Sequence, residues 1–325
     1  MASWYLQNGN ELFMFARMTG MIVLTALFSS LIFCSEPINK SPIINPPDTL
    51  LHLTVIDWGA TWCAANDMIA YMHGESYVYP NRDSSGLYVI RQDGTDKRAL
   101  FYEHFLKGVD WSPDGRWLVV HLRNHLVKLA YPDGILDTLL TPVQFWNPAW
   151  SPDGMKIIGT GRINNVNGIC SINPDGSDYK LILPYADYPT WIYPDSFIYL
   201  NGALDFPSGA ICLADSTGSF RRLFLEGQII GSLYFENIKS SLPTRRVVFE
   251  PFIPSDTSNL SMWKYDTEID ILSRFVNFGQ FPNFSPNGEE IVYTDARTGN
   301  GNLVIINWNG TGARQLTQPI NGSEP

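Results

Sequence analysis

A five-residue turn constrains this chain more than any other feature. Trp111-Ser112-Pro113-Asp114-Gly115 recurs as Trp150-Ser151-Pro152-Asp153-Gly154, with a relaxed copy at Phe284-Ser285-Pro286-Asn287-Gly288. More worn copies stand at Trp191-Ile192-Tyr193-Pro194-Asp195 and Trp62-Cys63-Ala64-Ala65-Asn66. Pro and Gly in such a segment force a tight reversal. After each copy comes a short apolar strand: Met68–Tyr71, Trp117–Val120, Lys156–Gly159, Phe197–Leu200 and Glu290–Tyr293. A variable loop and a second strand follow: Leu87–Ile90, Leu126–Leu129, Ile169–Ile172, Ile211–Ala214 and Leu303–Ile306. Each of these runs into a Gly turn (Asp93-Gly94, Asp133-Gly134, Asp175-Gly176, Thr217-Gly218, Asn309-Gly310), a strong hairpin signal. A last strand closes the unit: Arg98–Phe101, Asp137–Leu140, Lys180–Leu183, Arg221–Leu225 and Ala313–Leu316.

Four strands in about 40–50 residues is the period of a propeller blade. One blade cannot bury both faces alone, so blades stack into a ring, and the aromatic at each turn gives a blade a large apolar body to set against its neighbour. The spacing between the anchors at 191 and 284 is two periods, so a worn blade lies between them, with strands at Ile229–Phe235, Arg245–Glu250, Leu260–Tyr265 and Ile271–Val276. The predicted fold is all-β: one propeller of six four-stranded blades. An open β-array or a seven-bladed ring is the competing arrangement. The composition fits, with 26 Gly, 22 Pro and 13% aromatic residues. A formal charge of −10 argues against nucleic acid as a partner, since phosphate binding needs a basic surface.

The pattern resembles the TolB-type repeat, the WD40-like propeller repeat of exported bacterial proteins. The resemblance rests on the W-S-P-D-G turns at 111 and 150, the F-S-P-N-G turn at 284, and endings such as Arg314-Gln315-Leu316-Thr317. It covers about residues 50–319. It implies the fold and leaves function open. TolB itself carries a small α/β domain before its ring. Here only about a dozen residues separate Cys34 from the first blade, so the N-terminal TolB domain is expected to be missing.

The first 33 residues read as an address. Met21 to Phe33 is an apolar run of 13, too short for a spanning helix, which needs about 20, and suited to the h-region of a secretory signal. Cys34 follows directly, as in a bacterial lipoprotein signal, although Phe33 stands where that pattern prefers a small residue. Cys34 is therefore the candidate for lipidation, and the chain is expected to be exported and anchored in the cell envelope. Residues Glu36 to Pro47 carry four prolines and read as a stiff tether. The expected boundaries are signal 1–33, tether 34–48, propeller 49–319 and tail 320–325.

No nucleophile elbow, phosphate loop or H-E-x-x-H occurs. The cysteines Cys34, Cys63, Cys170 and Cys212 lack zinc-site spacing. Cys170 and Cys212 hold the same place in adjacent blades. Packed sheets lie about 10 Å apart and a disulfide needs Cα atoms within about 7 Å, so no bond is expected between them. His121 and His125 flank a hairpin turn, where they would hold a metal or stand as ordinary surface histidines. The second reading is favoured, and no metal or cofactor is expected. The Asp residues of the repeated turns recur once per blade and read as structural rather than as calcium ligands.

The turns of a blade alternate between two ends of the ring. The S-P-D-G and Asp-Gly turns share one end and are nearly uniform. The other end gathers the links between blades, with Tyr102, Trp146, Tyr185, Tyr188 and Gln280, and the loops Met72–Gly86, Arg162–Gly168, Asn201–Gly209, Pro251–Asn259 and Asp295–Gly301. Variable loops on a rigid scaffold carry function. The candidate binding residues are Tyr77, Tyr79, Trp146, Asn164, Asn165, Tyr188 and Phe206, aromatics and amides around the channel mouth. The expected function is a non-enzymatic scaffold that binds an envelope protein, a peptide or a glycan. The alternative is a propeller enzyme, a lyase or hydrolase, with His73, Asp83, His104 and Asp187 at the mouth.

Overall fold

A computed structural model describes residues 54–76, 85–103, 106–139, 144–202, 209–219, 221–225, 234–252, 261–297 and 301–318. The chain divides into residues 1–50, which lie outside the described set, and a compact unit spanning residues 51–325. The described residues are all-β and form six sheets of four antiparallel strands, each built from four consecutive strands in simple meander order.

Blade 1 comprises β1 (Thr54–Trp62), β2 (Met68–Ser76), β3 (Gly86–Arg91) and β4 (Arg98–Tyr102). Blade 2 comprises β5 (Leu106–Trp111), β6 (Trp117–Leu122), β7 (His125–Ala130) and β8 (Leu136–Leu139). Blade 3 comprises β9 (Phe145–Trp150), β10 (Ile157–Ile163), β11 (Val166–Ile172) and β12 (Lys180–Pro184). Blade 4 comprises β13 (Ala186–Tyr193), β14 (Ser196–Asn201), β15 (Ile211–Asp215) and β16 (Arg221–Leu225). Blade 5 comprises β17 (Tyr234–Ser240), β18 (Val247–Phe252), β19 (Ser261–Asp266) and β20 (Ile271–Asn277). Blade 6 comprises β21 (Gly279–Phe284), β22 (Glu290–Asp295), β23 (Asn302–Asn307) and β24 (Arg314–Gln315).

The core is a set of six apolar layers, one between each pair of neighbouring blades. Side chains alternate across a strand, so each central strand feeds two layers. In β2, Met68, Ala70 and Met72 face blade 2, whereas Ile69 and Tyr71 face blade 6. The sixth layer joins Val292, Leu303 and Ile305 of blade 6 to Trp62 and Ile69 of blade 1, which closes the ring. Hydrogen bonds seal the joint: Asp57 N–H donates to Gly301 O at 2.9 Å, and the Thr294 hydroxyl donates to Asp57 O at 3.0 Å. The open array and the seven-bladed ring are thereby excluded.

The repeated turn explains its own sequence. In the 151–154 turn the Ser151 hydroxyl donates to Asp153 at 2.6 Å and accepts from Lys156 N–H at 2.9 Å, while Gly154 N–H donates to Ser151 O at 2.9 Å. The 112–115 and 285–288 turns repeat this network. Gly154 has φ of 72°, a left-handed conformation that costs a side chain strain. The turn acids therefore hold backbone, as expected. The Ser151 hydroxyl and the Met155 N–H keep the Asp153 carboxyl below its usual range.

Two of the anchor tryptophans, Trp111 and Trp191, tie their blade to the preceding one. Trp111 Nε1 donates to Thr61 O at 3.2 Å and Trp191 Nε1 to Ala149 O at 3.3 Å, each reaching back to the inner strand before it. In the worn fifth blade Ser240 fills the same place, donating to Trp191 O at 2.7 Å. Its inner strand is Tyr234–Ser240, displaced from the expected Ile229–Phe235, whose first five residues lie outside the described set. The reason is physical: this strand borders the channel, so it carries Glu236, Asn237 and Lys239 and lacks an apolar run.

The loop expected at Arg162–Gly168 is mostly strand. β10 and β11 pair through Ile163 and Val166, leaving a two-residue turn at Asn164 and Asn165. Cys63, Cys170 and Cys212 are buried and form no disulfide with one another, with Cys170 in the layer between blades 2 and 3 and Cys212 in the layer between blades 3 and 4.

Candidate binding site at the channel and its link end

The wall of the channel is the first strand of each blade. Counting back from the anchors Trp62, Trp111, Trp150, Trp191, Ser240 and Phe284, a β-bulge interrupts every inner strand. In five blades the residue three before the anchor is left-handed: Gly59, Asn147, Tyr188, Asn237 and Phe281, with φ between 47° and 62°. Bulges re-aim side chains and strengthen twist. Here they bring the wall inward around a cavity of about 70 Å³, bordered by residues of β1, β5, β9, β17 and β21.

Acids around this wall are already committed. Asp110 accepts from Thr61 Oγ1 at 3.0 Å and from Trp150 N–H at 2.8 Å, so one carboxylate of blade 2 ties blades 1, 2 and 3 together. Glu250 accepts from Asn237 Nδ2 at 2.8 Å and from Phe281 N–H at 2.6 Å, joining blades 5 and 6. Asp187 accepts from the Thr160 hydroxyl and from Tyr188 N–H at 2.7 Å. Burial pushes the Asp110 and Asp187 carboxyls up from their ordinary values.

The cations differ. Lys107 stands exposed at the edge of the cavity, and Lys239, half-buried, lines it. Burial pulls the Lys239 ammonium down from its ordinary value, and the charge of Asp110, in the opposite blade, works against that fall. Among the described residues no carboxylate comes within 4.0 Å of the Lys239 ammonium.

The anticipated site residues separate into three groups. Trp146 and Tyr188 belong to inner strands β9 and β13 rather than to links, half-buried at the channel edge. Trp146 meets the His121 ring edge-on, with centroids 6.1 Å apart. Asn164 and Asn165 have φ of 50° and 65°, so both supply the left-handed pair that a tight hairpin of this hand requires. Tyr77, Tyr79, Phe206 and Cys34 lie outside the described residues, as do Asp83 and His104. His73 and Asp187 fall in blades 1 and 4, on opposite sides of the ring. His73 Nδ1 sits 2.5 Å from Asp57 Oδ1, and both side chains are buried. His121, read as a surface histidine, is fully buried, with neither ring nitrogen hydrogen-bonded among the described residues. It lies on β6 between two apolar layers. Among the described residues no three metal-ligating side chains converge.

Three exposed aromatic side chains occur among the described residues: Tyr102 (67%), Tyr185 (60%) and Phe278 (36%). All three stand where one blade hands over to the next, at the link end. Tyr185 and Phe278 each directly precede an inner strand and are left-handed, with φ of 57° and 61°. The exposed apolar residues at the opposite turns, such as Met155, Leu242 and Ile269, are aliphatic. That end also bears a groove of about 270 Å³ between blades 2 and 3, where Lys128 lies 4.4 Å from the Trp117 ring centroid and 2.9 Å from Asp137.

Six blades around a bulged, polar channel define the class: a six-bladed β-propeller with one aromatic end. The sequence matches no family model and no curated protein. Among solved structures, TolB from Acinetobacter baumannii superposes with a TM-score of 0.58 at 16% identity, over 79% of this chain and 62% of that one. A protein described as putative TolB from Agrobacterium tumefaciens gives 0.56 at 20% identity, over 68% and 84%. Oligogalacturonate lyase from Vibrio parahaemolyticus gives 0.52 at 10% identity, over 81% and 78%. The fold is thus a TolB-type propeller, and the chain spans less than two thirds of the Acinetobacter protein.

Proposed function

We propose that this chain is a non-enzymatic binding scaffold of the bacterial cell envelope, which docks an envelope protein, a peptide or a glycan on the link end of its propeller. One observation carries the reading: the exposed aromatics Tyr102, Tyr185 and Phe278 all stand at that end. Aromatic side chains are enriched in interfaces because they bring large contact area at low entropic cost. The apolar run 21–33 with Cys34 supports export and a lipid anchor. Incorporation of labelled fatty acid into the wild type, lost in Cys34→Ala, tests the anchor.

The docking face is tested by capture. The full chain and a Tyr102→Ser, Tyr185→Asn, Phe278→Asn variant are immobilised and exposed to solubilised envelope extract. Asn tolerates the left-handed backbone at 185 and 278. One protein retained near equimolar ratio by the wild type, and about tenfold less by the variant, is the expected result. Equal retention by both contradicts the reading.

The enzyme reading has one observation in its favour, the Asp57–His73 pair, since a carboxylate beside a histidine is how a general base is oriented. Both side chains are at most 3% exposed, closed to a substrate. Their place between blades 1 and 6 suits ring closure better.

A further inference from the structure

We propose that the central cavity is a binding site for a single carboxylate group, with Lys239 supplying the charge and Asn283 an adjacent amide.

The inner strands set up the argument. The residues one before each anchor are Thr61, Asp110, Ala149, Thr190, Lys239 and Asn283. Thr61 and Asp110 bond to each other, and Thr190 shares a 3.2 Å contact with the Ser240 hydroxyl. Lys239 and Asn283, side by side in blades 5 and 6, make no side-chain hydrogen bond among the described residues, and both border the cavity. Three carboxylates around the wall, Asp110, Asp187 and Glu250, are each consumed by two donors. Lys239 is half-buried on the wall, in surroundings that disfavour its charge and with no acceptor in reach among the described residues, so it marks a place where an acceptor arrives from outside.

Size and surroundings choose the acceptor. One water needs about 10–15 Å³ of such space, so about 70 Å³ has room for a carboxylate and the first carbons of its stem. Ala60, Val109, Pro148 and Pro282 line the same cavity, apolar surface suited to a carbon stem. Lys107 at the edge gives an incoming anion a first attractive charge on a chain whose formal charge is −10. The carboxylate comes from one of two sources: the end or an acidic side chain of a docked polypeptide, or a free small acid.

The test uses the full chain and three probes: acetate, a short Gly-Ala peptide with a free C-terminus, and the same peptide amidated. Binding is followed by titration calorimetry, and acetate by NMR line broadening. Saturable acetate binding is expected, weakened about tenfold or more in Lys239→Met and only a few-fold in Lys107→Met. A free-acid peptide that outcompetes its amide identifies a polypeptide source. Two peptides equally weak beside acetate identify a small acid. Should Lys239→Met fail to fold, wild-type crystals soaked in sodium acetate decide: acetate within hydrogen-bond distance of Lys239 Nζ is required. Absent binding, binding indifferent to Lys239, or a cavity holding only water overturns the proposal. The site and the docking face are tested separately: a partner captured on the link end that leaves acetate binding untouched keeps the face whatever becomes of the site, and acetate binding without a captured partner keeps the site.

Discussion

His121 shows what burial does to one side chain. It is completely enclosed, and burial, with the positive charge of Lys107 adding to it, pushes its imidazole down to about 4. In the unfolded chain the same group takes its proton near 6.5. Between those values the unfolded state binds more protons, so stability is fully present above pH 6.5 and falls as the solution is acidified towards 4. This one group contributes a slope of up to about 1.4 kcal/mol per pH unit in that window. Urea unfolding of the wild type and of His121→Leu at pH 7 and pH 4.5 checks it: the variant loses less stability between the two. Equal losses contradict the assignment. The sequence placed His121 beside a hairpin turn correctly. It did not reveal the burial, because a strand packed on both faces buries alternate residues into two layers, and which layer a polar residue meets depends on the neighbouring blade.

At the scale of the element, the repeated turn and the two-asparagine hairpin make separate predictions. Ser151→Ala removes a donor to Asp153 and an acceptor for Lys156 N–H, leaving that amide unpaired in a half-buried turn. A loss of about 1–3 kcal/mol is expected, read as a lower urea midpoint with an unchanged denaturant slope. Asn164 and Asn165 are both left-handed. Asn165→Gly should therefore keep or slightly raise stability, whereas Asn165→Ala should lower it by about 1–2 kcal/mol. If Asn165→Gly also leaves partner retention intact, the pair serves the turn alone, and a loss of retention makes it a contact. Elements were legible in the sequence wherever Pro, Gly and an aromatic anchor punctuate them. The inner strand of blade 5 was not, because Ser240-Ser241-Leu242-Pro243-Thr244 has lost the anchor and the strand beside it is polar. Lys239 and Asn283 escaped notice for the same reason: their common position is visible only once the inner strands are set in register.

The whole molecule is a ring closed by packing. Each blade is made of consecutive strands, and the joint between blades 6 and 1 rests on an apolar layer and a few backbone bonds. Val292→Ala, in that layer, should cost a few kcal/mol by leaving a cavity at the seam. The urea midpoint gives the cost directly, and a neutral change means that the seam collapses around the gap. The two ends of the ring differ in chemistry: aliphatic side chains and uniform turns at one, aromatic links and the mouth of the cavity at the other. The central claim is that the aromatic end is the docking face. Hydrogen–deuterium exchange of the full chain, with and without the partner it retains, tests this most directly. Protection is predicted in the links around Tyr102, Tyr185 and Phe278, with the turns at 112–115, 151–154 and 285–288 unchanged. Protection confined to those turns would contradict the account and move the docking face to the opposite end of the ring.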